Sequence, residues 1–215
     1  KHIIVTGGAK GIGLGISKAL ANEGAVPIII GRNVDDCLQA VAAIQNAGGR
    51  ADYFVAELSD PDQCGAVVSA SLKKYDCLDG LVNNAGVNDG VGLESGSYKA
   101  FMDSLHKNLV HYYLMAHHAL PALKKSKGAI VNIGSKTAST GQGNTSAYAA
   151  ANGGRNALTR EWAVELLQYG IRVNAVIVAE CYTPLYQSWI KTFENPEEKL
   201  KTITDKIPLE KRMTT

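Results

Sequence analysis

Glycines that directly follow a short apolar run near the start of the chain constrain the fold more than any other feature. The run Ile3-Ile4-Val5 is followed by Thr6-Gly7-Gly8-Ala9-Lys10-Gly11-Ile12-Gly13, where a helical pattern begins. Residues without side chains allow a tight turn and a close backbone approach to a ligand. A helix that starts there directs backbone N–H groups and its positive dipole end at the turn. This order of strand, turn and helix predicts a loop that binds the pyrophosphate of a dinucleotide, spaced Gly-x-x-x-Gly-x-Gly.

Apolar runs of strand length recur along the chain at intervals too long for hairpins. Because they are continuous rather than alternating, they suit strands that are covered on both faces. Helical patterns lie between them, which indicates βαβ units with right-handed crossovers. We predict an α/β fold, a single Rossmann-type domain over residues 1–215 with a doubly wound parallel sheet and helices on both faces. The strands are expected at residues 3–5, 28–30, 53–55, 81–82, 130–131 and 173–178, and the second helix is expected to bury Leu38, Val41, Ala42 and Ile44.

Composition excludes several classes of protein. With 46% hydrophobic residues among 215, the chain can bury a core. A formal net charge of +2 is too small to favour nucleic acid or an anionic membrane surface as a partner. Charged residues interrupt every apolar run well before the roughly 20 residues that a membrane span needs. The four cysteines lack CxxC spacing and no signal peptide is visible, so we expect a reduced, cytoplasmic protein.

The residues after the second predicted strand bear on which dinucleotide is bound. A carboxylate there accepts a hydrogen bond from the ribose 2′-hydroxyl of NAD(H), whereas an arginine suits the 2′-phosphate of NADP(H). The sequence reads Ile30-Gly31-Arg32-Asn33, without an acidic residue, and Lys10 adds a second positive charge in the glycine-rich loop. We therefore expect NADP(H), with NAD(H) as the alternative.

Further motifs give the chain a resemblance to the short-chain dehydrogenase/reductase family, from Ile3 to about Leu209. Asn83-Asn84-Ala85-Gly86 looks like the family's NNAG element, and Asn108, Ser135 and Tyr148 match the spacing of its catalytic residues. Several loops are also similar to those of bacterial L-fucose dehydrogenase-like members. The family usually continues with another helix and strand, so these are expected to be missing here.

The resemblance implies hydride transfer between a nicotinamide and a carbinol carbon. Tyr148 would be the general acid/base, Ser135 would bond the same oxygen, and Asn108 would hold a helix kink and a water relay. Polar groups at the expected substrate mouth favour a sugar or polyol; the alternative is that these loops are polar because they are exposed. The implied substrate residues are Asn88, Asp89, Gln142, Asn144 and Glu180. The implied cofactor residues are Gly7, Lys10, Gly11, Ile12, Gly13, Arg32, Glu57, Leu58, Asn84, Ala85, Gly86, Tyr148, Asn152, Val178 and Thr183.

The chain departs from the family at Asn152, where a lysine is usual four residues after the tyrosine. Free tyrosine has a pKa of about 10, and an ammonium about 4 Å away would favour its anion by about 4 kcal/mol. Asn152 can bond a ribose but lends no charge, so we expect impaired oxidation at neutral pH that Asn152→Lys improves. The alternative function is a catalytically silent NADP(H)-binding or regulatory protein. Arg155 is expected at the surface or in a subunit contact, with a rewired active site as the alternative.

The histidines of His111-Tyr112-Tyr113-Leu114-Met115-Ala116-His117-His118 have no carboxylate or cysteine beside them, so we predict no metal site. By resemblance, this helix and the helix that holds Arg160 make subunit contacts. We therefore expect a homo-oligomer, a dimer or tetramer, whose other partner is a small-molecule substrate.

Overall fold

The structure, a computed structural model, describes residues 1–207. It contains parallel strands at the predicted positions. The strands are β1 (His2–Thr6), β2 (Val26–Gly31), β3 (Asp52–Val55), β4 (Gly80–Asn83), β5 (Ala129–Ser135) and β6 (Arg172–Val178). They form one sheet in the order β3-β2-β1-β4-β5-β6, with every neighbouring pair parallel. The predicted α/β fold with a doubly wound parallel sheet is therefore confirmed, while Leu209, the expected end of the resemblance, lies outside the described residues.

Helices connect the strands and cover both faces of the sheet. They are α1 (Gly11–Asn22), α2 (Val34–Asn46), α3 (Pro61–Tyr75), α4 (Tyr98–Leu105), α5 (His111–Ser126), the short α6 (Thr137–Thr140), α7 (Ser146–Glu165), α8 (Pro184–Ile190) and α9 (Pro196–Thr204). Apolar side chains of α3, α5 and α7 form one core with the sheet, and α1 and α2 cover the other face. No helix in this part of the chain is long and apolar enough to cross a membrane.

The buried face of α2 differs from the expected one. Leu38 is 47% exposed and Ala42 is also exposed, whereas Cys37, Ala40 and Ile44 are buried. The side chains that reach the core are small, since Cys37 packs against the close turn at Gly31. A pattern of large apolar residues alone therefore misplaces this helix by about one residue.

Two features of the fold position the candidate site. Strand β1 lies between β2 and β4, so the chain leaves it in opposite directions and a crevice opens at the carboxyl ends of these strands. A π-helical turn, His106–Val110, joins α4 to α5 and contains Asn108, the residue expected to hold a kink. Helix α7 begins beside the crevice and carries Tyr148, Asn152 and Arg155 on successive turns.

Candidate active site

The glycine-rich loop has the geometry that an anion-binding turn requires. Gly7 has a φ of +62°, in the region that favours glycine, and a Cβ on Gly13 would overlap the carbonyl oxygen of Gly7. The N-cap of α1, Lys10, makes no side-chain capping bond, and the first turn of the helix contains no acidic residue. The first backbone N–H groups of α1 are therefore available to a pyrophosphate.

Hydrogen bonds attach the Asn83-Asn84-Ala85-Gly86 segment to this loop. The hydroxyl oxygen of Thr6 accepts from the backbone N–H of Asn84 at 2.8 Å and of Ala85 at 3.0 Å, and it donates to the carbonyl of Val82. The side-chain amide of Asn84 donates to the carbonyl of Thr6 at 2.8 Å. The ends of β1 and β4 are thus held together at the floor of the crevice.

One cavity of about 570 Å3 joins the glycine-rich loop to Ser135 and Tyr148. Asn108, Asn152 and Gly13 lie outside its lining, as do most of the implied substrate residues, of which Asn88 alone faces the cavity. Most of the implied cofactor residues line it, namely Gly7, Lys10, Gly11, Ile12, Arg32, Glu57, Leu58, Asn84, Ala85, Gly86, Tyr148, Val178 and Thr183.

Lys10 and Arg32, the basic residues on which the expected cofactor preference depends, both face carboxylates. The Lys10 ammonium lies 2.7 Å from Asp36, and the Arg32 guanidinium lies 3.6 Å from Glu57. Burial raises the pKa of Glu57, but hydrogen bonds from Ser59 and the charge of Arg32 outweigh it and keep the pKa below its usual value. Sequence reasoning missed Asp36, which lies on the first turn of α2, where acidic residues are common.

Ser135 and Tyr148, two of the implied catalytic residues, both line the cavity. Ser135, at the end of β5, is 9% exposed, and its hydroxyl accepts from the hydroxyl of Thr137 at 3.1 Å. Tyr148, on the first turn of α7, lines the same cavity. Proton exchange at the alcohol or carbonyl oxygen of a substrate needs hydroxyl groups such as these beside that oxygen.

The structure corrects the expectation for Arg155, which is buried rather than at the surface. Its side chain is 3% exposed and lines the cavity. Nε donates to the carbonyl of Asn108 at 2.6 Å, and Nη1 donates to the carbonyl of Ile133 and to the Asn152 side chain, both at 3.0 Å. Its carbon Cζ lies 6.0 Å from the ring centre of Tyr148.

The Asn152 side chain lies against the backbone of its own helix, α7, and does not line the cavity. It is fully buried, and its side-chain NH2 donates to the backbone carbonyl of Tyr148 at 2.8 Å. Its side-chain oxygen accepts from Arg155. The side chain is therefore used to hold the helix and the arginine, in the place where the resemblance implied a bond to ribose.

Two further cavity residues carry a titratable group. Burial and the charge of Arg155 lower the pKa of His111 to about 4, and its ring nitrogen Nε2 bonds the carbonyl of Lys107 at 2.9 Å. Lys107 itself lies 3.8 Å from Asp89. Within residues 1–207, the one group of possible metal ligands is His2, Cys77 and Asp79, where β1 and β4 begin, and it includes none of the three histidines of α5.

The other implied substrate residues are engaged with protein neighbours or exposed. Asp89 accepts from the hydroxyl of Ser104 at 2.7 Å, and Glu180 pairs with Lys136. Gln142 is exposed, and Asn144 adopts a φ of +54° in the loop before α7.

A parallel sheet with an anion-binding loop at its crevice, and a serine and tyrosine in the same cavity, defines a dinucleotide-dependent oxidoreductase class. Comparison with known proteins agrees: the family model described as short chain dehydrogenase matches residues 1–193. L-fucose dehydrogenase of Bos taurus is 31% identical over 210 residues, which cover 97% of this chain and 76% of that protein.

Solved structures give the same result. The crystal structure of Cj0485 dehydrogenase is 40% identical with a TM-score of 0.92, over 100% of this chain and 82% of that one. An actinorhodin polyketide ketoreductase variant with NADPH is 27% identical with a TM-score of 0.93, over 100% of this chain and 85% of that one. The chain belongs to the short-chain dehydrogenase family and is an oxidoreductase by family, with L-fucose dehydrogenases among its relatives.

Proposed function

We propose that this protein transfers a hydride between NADP(H) and a secondary alcohol or hemiacetal carbon of an L-fucose-like sugar or polyol. The carrying observation is the continuous cavity from the anion-binding loop to Ser135 and Tyr148. The free N–H groups of α1 and the glycines that a Cβ would obstruct fit a bound dinucleotide. The identity of the relative named L-fucose dehydrogenase supports the substrate class.

The proposed roles follow from where the side chains lie. When bound, the nicotinamide supplies the acceptor or donor of the hydride. During oxidation the Tyr148 hydroxyl, in its anionic form, takes the proton of the substrate hydroxyl, and in reduction it returns that proton. Ser135 donates a hydrogen bond to the same oxygen and steadies its charge. Replacing Tyr148 with Phe should abolish turnover in protein that still binds NADP(H).

The preference for NADP(H) over NAD(H) is supported by Lys10 and Arg32, although each faces a carboxylate. The side chains of Lys10 and Arg32 are 64% and 82% exposed, so their ion pairs are weak and a 2′-phosphate can compete for both. Fluorescence titration with both cofactors tests this, with Arg32→Ala beside the control Arg50→Ala. We expect Arg32→Ala to weaken NADP(H) binding selectively; equal affinity of the unchanged protein for both cofactors would contradict the preference.

The polyhydroxy substrate is supported by Asn88 in the cavity and by the polar loops around its mouth. Steady-state oxidation of a panel of aldoses, with steroids and long-chain alcohols as controls, tests it. Turnover of a steroid without turnover of any aldose would overturn the substrate class. We further propose a homo-oligomer, a dimer or tetramer, because Tyr113 of α5 and Val164 of α7 are 50% and 76% exposed. The proposed cytoplasmic location has a separate basis, the absence of CxxC spacing among the four cysteines of the sequence.

A second candidate is a catalytically silent NADP(H)-binding or regulatory protein, and the asparagine at position 152 favours it. If no cation takes the place of a lysine at position 152, little tyrosine anion would exist at pH 7 and oxidation would be impaired. Binding of NADP(H) without turnover of any panel member from pH 6 to 10 would support this alternative. Turnover of an aldose at pH 7 would exclude it.

A further inference from the structure

Arg155 is a buried cation without a buried anion. Its four bonds all go to neutral acceptors: the carbonyls of Asn108 and Ile133 and the side-chain oxygens of Asn152 and Asn108. No ion pair joins Arg155 to a carboxylate within residues 1–207. Burying a charge is costly, and buried charges are normally paired. The arrangement therefore leaves a positive charge that a nearby anion would satisfy.

The residues around Arg155 differ in whether they can supply an anion. From α5, His111 is neutral, because burial and Arg155 lower its pKa to about 4. The Tyr112 ring lies 4.2 Å from the guanidinium, but burial raises the pKa of Tyr112 to about 12 and its hydroxyl donates to the carbonyl of Ile133. Lys107, also at the cavity, is a second cation that pairs with Asp89.

Two further groups near the cavity could carry a negative charge beside Arg155, namely Glu57 and Tyr148. Glu57 pairs with Arg32 at the cofactor end and makes no bond to Arg155. Tyr148 lines the cavity, and the centre of its ring lies 6.0 Å from Cζ of Arg155. Glu57, Lys107 and His111 line the cavity as well, but among all these groups Tyr148 is the one that exchanges a proton in the proposed reaction.

We propose that Arg155 supplies the positive charge that stabilises the Tyr148 anion, in place of a lysine at position 152. This inference rests on the proposed function for its kinetic effect, but not for its effect on the ionisation of Tyr148. Cζ of Arg155 lies 6.0 Å from the centre of the Tyr148 ring. A cation within about 4–6 Å of an ionisable group generally favours the anionic form by about 1–3 pH units, or about 100-fold at the middle of that range. Asn152 then has a positioning role, since its oxygen holds Nη1 of Arg155.

A purely structural role for Arg155 makes a different prediction. Its bonds to Asn108 and Ile133 tie α7 to the π-helical turn and to β5, so any replacement lowers stability. A structural role would leave the pH dependence of Tyr148 unchanged in protein that still folds. The pH profile and the ultraviolet absorbance of the tyrosine anion therefore separate the two roles.

The spectroscopic test needs no substrate. The absorbance of tyrosine anions is recorded against pH in the unchanged protein, in Arg155→Met and in the control Arg172→Met, which removes an exposed arginine at the start of β6. Subtracting the same protein with Tyr148→Phe isolates the signal of Tyr148. We expect Arg155→Met to move this signal about two pH units towards alkaline pH and Arg172→Met to leave it in place.

Moving the charge gives a second measurement that does not depend on Arg155→Met folding. In Asn152→Lys/Arg155→Met the cation returns to the position where the family has lysine, so we expect the Tyr148 signal within about half a pH unit of the unchanged protein. Arg155→Lys, which keeps a cation at the same position, should do the same. An unshifted signal in folded Arg155→Met, or a shift of two units in both charge-keeping variants, would overturn the proposal.

The kinetic arm distinguishes this inference from the proposed function. If an aldose is oxidised, Arg155→Met should lower the rate at pH 7 about 100-fold and recover much of it near pH 9. If no substrate is turned over while the spectroscopic shift is present, the proposed function fails and the role of Arg155 stands.

Discussion

Replacing Asn152 with lysine is the change that the sequence most invites, and the structure predicts that it harms the protein. The side-chain oxygen of Asn152 lies 3.0 Å from Nη1 of Arg155, and the two residues are 0% and 3% exposed. An ammonium in this position would sit beside a buried guanidinium. Sequence reasoning alone expects this substitution to raise the rate at neutral pH; because Arg155 is buried beside position 152, we predict a loss of stability instead.

The size of the effect follows from the distance. Two like charges about 4 Å apart at an effective dielectric of about 20 repel by about 4 kcal/mol, and the lost hydrogen bond adds about 1 kcal/mol. A loss of about 4–5 kcal/mol is a large part of the roughly 5–15 kcal/mol by which a domain is stable. We therefore expect Asn152→Lys to lower the urea midpoint strongly at pH 7.

Controls separate the charge from the lost bonds. Asn152→Leu removes the same hydrogen bonds without adding charge and should cost about 1–3 kcal/mol, while Asn152→Lys/Arg155→Met should be more stable than Asn152→Lys. Because the neighbouring guanidinium lowers the pKa of the new lysine in the folded protein, the unfolded chain binds more protons there. The penalty should therefore shrink as the pH rises towards about 10. If Asn152→Lys unfolds at the same urea concentration as the unchanged protein and is faster at pH 7, the reasoning is wrong.

Two further perturbations test the surroundings of the site. A Cβ on Gly86 would lie 2.8 Å from Nη2 of Arg155. Gly86→Ala should therefore lower the free energy of unfolding by about 1–3 kcal/mol and shift the Tyr148 absorbance signal towards alkaline pH. The control Gly15→Ala, whose Cβ would have nothing within 4 Å, should do neither, and equal urea midpoints for the two alanine variants would count against the contact. Because the pKa of His111 is lowered to about 4, the unfolded chain binds a proton between about pH 6.5 and 4 that the folded protein does not, so the free energy of unfolding should fall by about 2 kcal/mol from pH 7 to pH 5. His111→Gln should lose that part of the pH dependence in urea titrations, and an unchanged slope would refute the assignment.

The sequence predicts the sheet well because its strands are continuous apolar runs that are buried on both faces. Ile28, Ile29 and Ile30 illustrate this, since all three are at most 1% exposed and leave no doubt about which residues form the strand. Helix α2 is harder, because its buried positions are held by small residues such as Ala40 while Leu38 remains exposed. The pattern of hydrophobic residues therefore predicts where a strand or helix lies, whereas the buried face of a helix such as α2 depends on how its side chains pack.

The candidate site divides in the same way. The glycine-rich loop and the spacing of Ser135 and Tyr148 are local patterns, and the structure brings them to one cavity. The burial of Arg155 depends on acceptors that are 47 and 22 residues away in the chain, at Asn108 and Ile133. A periodic pattern cannot reveal such partners, because a surface arginine and a buried one are the same letter.

The π-helical turn His106–Val110 makes the length of one segment a determinant of the site. Such a turn is equivalent to one residue inserted into an α-helix, and each residue of an α-helix turns the chain by about 100°. Deleting one residue from this turn would rotate His111 and Tyr112 away from the guanidinium and move the carbonyl that accepts from Nε of Arg155. Variation in the number of residues between Tyr98 and Ser126 would therefore reset the electrostatics of the cavity even if every side chain named here were kept.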